Sequence, residues 1–175
     1  TFVQINNSYI SNNKIFNNTV YGIQLNDSHN NNIFTNNITL NGYGLSATSS
    51  NNNTIYDNYF NNTIDASDSG SNQYNTTYAI NTSIISGTNT SIIGGTGFGG
   101  NFWSTYLGKD SGGGTYPYNL SGDYVGDTNI PFTLGNINDY LPLTTDNGTT
   151  SDSSCLSIGA STKLASNVNC TTGDG

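Results

Sequence analysis

The stretch YGIQL at residues 21–25 recurs as YGLSA at residues 43–47, which is 22 residues later. Isoleucine recurs at closely similar distances, as in Ile10, Ile33 and Ile55. A repeat of this length, built from short alternating apolar stretches, predicts a solenoid, because one unit cannot bury its apolar face alone and must stack on the next.

The composition favours strands over helices. The chain of 175 residues contains 31 Asn and lacks Arg, Glu and Met. Asn, Ser and Thr side chains compete with helical hydrogen bonds, whereas Tyr, Phe, Ile and Thr suit strands. Several strands of three to five residues in each repeat predict an all-β parallel β-helix rather than a leucine-rich repeat, whose leucine pattern is absent. The asparagine triplets at 30–32 and 51–53 are expected to stack as ladders at turns or, alternatively, to form solvated loops.

The pattern divides the chain into four parts. Residues 1–93 are predicted to form the coils of the β-helix, with a solvated turn-rich loop at 65–80 leaving the regular coil. Residues 94–143, which contain Trp103, are predicted to form an irregular cap with an Asp/Gly loop, because a solenoid needs its last coil covered. Residues 144–154 read as a polar linker, and residues 155–175 as a small tail that contains both cysteines.

The charge argues against two classes of partner. The net charge is −8, from eleven Asp and three Lys, whereas nucleic acids and anionic membranes attract basic surfaces. No apolar run approaches the roughly 20 residues that span a bilayer. Because the sequence starts at Thr1 without an apolar signal region, we expect a mature or trimmed form.

Glycosylation sequons suggest an extracellular location. Twelve Asn-x-Ser/Thr sequons are candidate sites for covalent N-glycans, and the alternative is that many are structural asparagines of the repeat. The sequons begin at Asn6, Asn17, Asn26, Asn37, Asn52, Asn61, Asn75, Asn81, Asn89, Asn119, Asn147 and Asn169.

The two cysteines, Cys155 and Cys170, lie close together in the tail. In an extracellular chain their expected state is a disulfide that staples the tail. Two free thiols, a metal pair and a bridge between molecules are the alternatives.

Three motifs in residues 94–143 resemble the closing signature of a known family. They are GGNFWS at 99–104, GDT at 126–128 and DYLPL at 139–143. With the repeats, they resemble the NosD-type and carbohydrate-binding/sugar-hydrolase parallel β-helix proteins, in the version found on archaeal, especially methanogen, surfaces. The resemblance covers roughly residues 5–143 and implies a right-handed parallel β-helix on an exported protein. A shared fold does not imply one function.

A calcium site is one interpretation of the Asp/Gly loop. Calcium takes six to eight oxygen ligands, and Asp110, Asp123 and Asp127 could supply three of them. Alternatively, these carboxylates accept N–H bonds of turns. No other cofactor is expected.

The residues for catalysis on this fold are missing. Glycoside hydrolysis needs paired carboxylates, and Asp65 and Asp68 are expected to be solvated in a loop. His29 is the only histidine, so neither a catalytic triad nor a histidine-rich copper site can form around it, and a solvent-facing structural role is expected. The chain is therefore predicted not to be an enzyme.

The sequence favours an extracellular structural protein that assembles with itself into a surface layer, sheath or filament. An uncapped first coil near Thr1 would offer unpaired strand edges to another copy, and the tail could supply the complementary strand. The alternative is a glycan-binding module that uses aromatic rows. Its candidate residues are Tyr9, Tyr21, Tyr43, Tyr56, Tyr59 and Tyr74. A role as an accessory factor for a copper enzyme is a third, weaker interpretation.

Overall fold

The computed structural model describes residues 4–80 and 90–146, and these residues form strands without an α-helix. In chain order the strands are β1 (Tyr9–Ser11), β2 (Lys14–Phe16), β3 (Tyr21–Asn26), β4 (Asn32–Phe34), β5 (Asn37–Thr39), β6 (Tyr43–Thr48), β7 (Asn51–Tyr56), β8 (Tyr59–Asn61), β9 (Ile64–Asp68), β10 (Ser71–Gln73), β11 (Ala79–Ile80), β12 (Gly97–Phe98), β13 (Phe102–Trp103), β14 (Phe132–Leu134) and β15 (Ile137–Asp139).

Most of these strands belong to three parallel sheets. The first has the order β1-β4-β7-β10, the second β2-β5-β8-β13, and the third β3-β6-β9. The chain thus visits the three sheets in turn, and each pass is called a coil below. An all-β fold with parallel sheets is confirmed, and the strand order is consistent with a parallel β-helix.

The core is a stack of equivalent apolar side chains from successive coils. Ile10, Ile33 and Ile55 pair in register in the first sheet. Ile38 pairs with Phe60 in the second sheet. Ile33, Ile38, Ile55 and Phe60 are fully buried, so the 22- to 23-residue register is what brings like side chains into contact.

Residues 65–73 continue the coils, and the expectation of a solvated loop there was wrong. Ala66 pairs with Leu45 in the third sheet, and Ser71 pairs with Asn51 in the first. Asp65 is only 4% exposed. Its charge and the neighbouring Ser and Gly residues suggested a loop, but its carboxylate is needed inside, as shown below.

The part predicted as a cap contains mixed pairing. β13 adds to the second parallel sheet beside β8, whereas β14 and β15 form an antiparallel pair. β11 pairs antiparallel with β12 and joins none of the three parallel sheets in the described residues. The boundaries at 93, 143 and 154 stay predictions, as does the handedness of the coils.

The corners of the coils use left-handed backbone. Asn12, Thr35 and Asp57 occupy one corner in successive coils, with φ angles of 58°, 52° and 52°. Asn and Asp tolerate this region better than most residues, which helps to explain why they are frequent here.

Residues 4–80 and 90–146 contain no helix that is long and apolar enough to span a membrane.

Candidate functional site

Ten asparagines form three ladders parallel to the stack of coils, and six of them are buried. In each ladder, the backbone N–H and the side-chain Nδ2 of one asparagine donate to Oδ1 of the asparagine in the next coil. The first ladder contains Asn31, Asn53 and Asn72; the second contains Asn13, Asn36, Asn58 and Asn101; the third contains Asn18, Asn41 and Asn62.

The second ladder illustrates the geometry. Asn36 donates to Oδ1 of Asn58 from its backbone N at 3.0 Å and from Nδ2 at 2.9 Å. Asn58 Nδ2 in turn lies 3.0 Å from Oδ1 of Asn101, and it also donates to the carbonyl of Ile33 at 2.8 Å. Asn36, Asn58 and Asn101 have no exposed surface, so these bonds satisfy groups that water cannot reach.

Each ladder ends at an aspartate. Asn62 donates to Asp65, and Asn72 donates to Asp68. Asn101 donates from its backbone N to Oδ2 of Asp139 at 2.8 Å. The last asparagine of a ladder needs an acceptor, and a carboxylate accepts without needing an acceptor of its own, so aspartate suits this position.

Asp139 also joins the ladder to the aromatic core. Its Oδ2 accepts from Nε1 of Trp103 at 2.8 Å, and its Oδ1 accepts from the backbone N of Leu141 at 2.9 Å. Asp139 has no exposed surface. Burial raises the pKa of this carboxyl to about 6, although the hydrogen bonds from Trp103 and Asn101 oppose the shift.

Gly100 to Trp103, the middle of the GGNFWS stretch, each make a specific contact. A Cβ on Gly100 would meet the carbonyl of Leu141 at 2.0 Å, so no larger residue fits. Asn101 is the ladder residue, Phe102 stacks on Tyr59 with ring centroids 4.4 Å apart, and Trp103 stacks on Phe60 at 4.8 Å. The stretch therefore adds the last strand to the second sheet and covers the aromatic side chains of β8.

Asp57 is a second buried carboxyl with a raised pKa. It is 2% exposed, and its Oδ1 accepts from the backbone N of Ile92 at 2.7 Å. Burial raises its pKa to about 6, against the lowering effect of that hydrogen bond. Asp57 thus holds Ile92 against the corner that precedes Asn58.

The raised pKa of Asp57 predicts a pH-dependent stability. Between about pH 4 and pH 6, Asp57 keeps its proton in the folded state but loses it in the unfolded state. Its contribution to the free energy of unfolding therefore falls as the pH rises through this range. Asp57→Asn keeps an acceptor and tolerates the left-handed backbone, but it does not titrate. We expect the free energy of unfolding of Asp57→Asn, relative to that of the natural chain, to be higher at pH 7 than at pH 4 by up to about 3 kcal/mol. Urea unfolding at both pH values measures this, and a constant difference would contradict it.

The Asp/Gly loop is held together by its own carboxylates. Asp110 Oδ2 accepts from the backbone N of Gly122 at 2.8 Å and of Tyr124 at 2.7 Å. Asp127 Oδ2 accepts from the backbone N of Ser111 and of Gly112.

Asp123 uses both of its carboxylate oxygens. Oδ1 accepts from the backbone N of Val125 at 2.9 Å, and Oδ2 accepts from the hydroxyl of Tyr78. Burial, followed by the hydrogen bond to Asp123, raises the pKa of the Tyr78 hydroxyl well above its ordinary range. All three aspartates of the predicted calcium site therefore accept hydrogen bonds in turns.

His29 takes part in backbone bonding at a coil corner. Its Nδ1 accepts from the backbone N of Asn51 at 3.1 Å, and its Nε2 lies 3.2 Å from Oδ1 of Asp27. The side chain is one-third exposed. This pairing gives His29 a structural contact between neighbouring coils.

The predicted aromatic row is largely self-stacked. Tyr56 stacks on Phe34 with the ring planes 7° apart, and Tyr59 stacks on Phe102. Tyr74 is buried and donates to Asp68, whereas Tyr9 is 75% exposed. Tyr21 and Tyr43 contact each other, with centroids 5.5 Å apart. Stacking leaves less ring face free for a sugar.

Sequon exposure varies among the described residues. Exposed sequon asparagines are Asn6, Asn17, Asn26, Asn52, Asn61 and Asn119. Asn37 and Asn75 are half-buried. The predictions for Asn81, Asn89, Asn147, Asn169, Cys155 and Cys170 lie outside the described residues.

Residues 2–108 match the model of a family described as periplasmic copper-binding protein (NosD). The match covers more than half of the chain. The chain belongs to the NosD family. This confirms the NosD-type resemblance, and the periplasmic description of NosD is consistent with an exported protein. Comparisons with curated proteins and with solved structures gave no match.

The copper ligands implied by the NosD description are not assembled in the described residues. Copper favours Cys, Met and His ligands, but the chain has no Met and one His. Residues 4–80 and 90–146 contain no group of three or more His, Cys, Asp or Glu that could hold a metal ion. The described part of this NosD chain therefore does not fit a copper site.

Sequence reasoning missed the aspartates that end the ladders. Asp65, Asp68 and Asp139 follow no fixed spacing from the asparagines they cap, because two cap within a coil and the third lies 38 residues after Asn101. The recurrence of asparagine at equivalent positions of successive repeats was a usable sequence signal for the ladders. Their ends required the structure.

Proposed function

We propose that this NosD-family chain is a non-catalytic structural protein of the cell surface that assembles with itself into a layer, sheath or filament. The observation that supports it most is the use of carboxylates. Asp65, Asp68 and Asp139 end the asparagine ladders, and Asp57 and Asp123 anchor loops. These groups hold the fold together, whereas a glycosidase would need a carboxylate pair facing a substrate.

Assembly is supported by the strands of the first coil. β1 and β2 are outer strands of their parallel sheets as described and each pairs on one side there, whereas the carbonyl of Asn26, at the end of β3, also accepts from the backbone N of Gln4. Asn13 and Asn18 donate along their ladders to Asn36 and Asn41, so their Oδ1 atoms face the direction from which a preceding coil would donate. A strand from a second copy could pair with this edge.

The proposal includes the right-handed β-helical solenoid, an oxidised Cys155–Cys170 pair and N-glycans. The chief candidates for sugar are Asn52 in β7, Asn61 at the end of β8, Asn75, and Asn89, which lies outside the described residues. An intact mass equal to the bare 18.5 kDa chain would reject glycosylation, and thiol labelling of both cysteines in native material would reject the disulfide.

Electron microscopy of purified native material tests the assembly. We expect ordered polymers, and we expect removal of residues 150–175 to weaken them while the sheets remain folded by circular dichroism. Monodisperse monomers at high concentration, or unchanged polymers from the truncated chain, would contradict the self-assembling role or the role of the tail, respectively.

A glycan-binding role is the second candidate, and a polar groove favours it. The groove has a volume of about 320 Å³ and lies where β10 approaches the β14–β15 pair. Amide side chains and a half-exposed tyrosine are a donor set that suits sugar hydroxyls and ring faces. Its lining includes Gln73, Asn75, Asn136, Asn138 and Tyr140.

A glycan array distinguishes this second role. Binding that is lost in Tyr140→Ala but kept in Tyr9→Ala, a change at another exposed tyrosine, would support the groove. A chain that binds no glycan on the array would leave the structural proposal alone.

A further inference from the structure

Two carboxylate oxygens in the Asp/Gly loop are left without a partner. Oδ1 of Asp110 and Oδ1 of Asp127 are both buried and accept no hydrogen bond. Asp110 has no exposed surface at all. A buried carboxylate oxygen without a donor is costly, so this pair requires an explanation.

The two carboxylates are fixed at one crossing of the loop. Each has its Oδ2 held by two backbone N–H groups, and those donors lie beside the other aspartate's segment: Ser111 and Gly112 bond Asp127, whereas Gly122 and Tyr124 bond Asp110. The backbone N of Asp127 also donates to the carbonyl of Lys109 at 2.7 Å. The residues that carry both free Oδ1 atoms are therefore held in place by hydrogen bonds from two segments of the loop.

The protein supplies little positive charge to this crossing. Burial raises the pKa of Asp110, the hydrogen bonds from Tyr124 and Gly122 oppose this shift, and the negative charges of Asp123 and Asp127 add to it. The Nζ of the neighbouring Lys109 is directed to Asp146, at 3.9 Å, and its side chain is 64% exposed. The chain has no arginine. A bound cation would offset the repulsion and satisfy both free oxygens.

We propose that Asp110 and Asp127 bind a calcium ion through their Oδ1 atoms. Both donors are carboxylate oxygens, which suit a hard divalent cation, and calcium accepts flexible geometry with carbonyl oxygens and water completing its shell. Asp123 is not a ligand here, because its two oxygens are already occupied by Val125 and Tyr78. The site thus has two protein carboxylates rather than the three that the sequence suggested.

The test compares thermal unfolding of the full chain in chelator, in calcium chloride and in magnesium chloride. Calcium at about 100 times its dissociation constant should raise Tm by roughly 5–10 °C, and magnesium by less. Asp127→Asn should lose the calcium-induced rise. Asp123→Asn, which removes one charge from the same loop, should keep it.

Terbium luminescence of the natural chain gives a readout that does not depend on the variants folding. Terbium should bind with emission excited through nearby tyrosines, and calcium should displace it. The proposal is overturned if calcium neither raises Tm nor displaces terbium at millimolar concentration, or if Asp127→Asn retains the full calcium-induced rise. In that case protonation of the Asp110 carboxyl, whose pKa is raised by burial, would account for its unpaired oxygen. This test is independent of polymer formation.

Discussion

Replacement of Trp103 by Ala is expected to lower the free energy of unfolding by about 3–5 kcal/mol, the usual cost of removing a buried aromatic side chain. Trp103 has no exposed surface. Its ring lies 4.8 Å from that of Phe60, 5.6 Å from Phe132 and 5.9 Å from Tyr74, measured between centroids. The substitution would leave a cavity where the second sheet meets the β14–β15 pair.

Two variants separate packing from hydrogen bonding at this position. Trp103→Phe keeps an aromatic ring on Phe60 but removes the Nε1 donor to Asp139, so it should lose less than Trp103→Ala. Leu107→Ala is the control, because Leu107 is 84% exposed and its truncation should change stability by less than about 0.5 kcal/mol. Chemical unfolding followed by tryptophan-independent circular dichroism measures all three. A loss below 1 kcal/mol in Trp103→Ala would show that the packing described here is wrong.

The repeating part of the fold was predictable because its information is local and periodic. Ile33 and Ile55, which are 22 residues apart, pair in register, and so do Tyr21 and Tyr43. The burial of Trp103 followed from the need to cover an apolar end. Nothing beyond spacing and side-chain type was needed for these inferences.

The carboxylates were not predictable in the same way. An aspartate among Ser and Gly residues is usually solvated, and Asp65 looked like such a residue. It is buried because Asn62 and Ser104 both donate to it, and Ser104 is 39 residues away. A contact of that range leaves no periodic trace. The ladder ends, at irregular separations of 3, 4 and 38 residues, and the Asp110–Asp127 crossing likewise appear only in the three-dimensional arrangement.

Replacement of Asn58 by Ala is expected to cost about 3–5 kcal/mol, although it removes a polar side chain from the interior. Oδ1 of Asn58 accepts from both the backbone N and Nδ2 of Asn36, and its Nδ2 donates to the carbonyl of Ile33. Without the side chain, at least two buried backbone groups lose a partner, at about 1–3 kcal/mol each, and a small cavity remains.

Asn58→Asp tests the direction of the ladder. A carboxylate would still accept from Asn36, but it cannot donate to Oδ1 of Asn101 or to the Ile33 carbonyl, so acceptor would face acceptor in a buried site. We expect a loss at least as large as that of Asn58→Ala, measured by urea unfolding at neutral pH. The control Asn26→Ala removes an exposed asparagine and should change stability by less than about 0.5 kcal/mol. Equal stability of Asn58→Asp and the natural chain would contradict a one-way ladder. Aspartate is accommodated at Asp65, Asp68 and Asp139 because each lies at the end of a ladder. There it accepts from N–H donors, and no further asparagine follows to which it would have to donate.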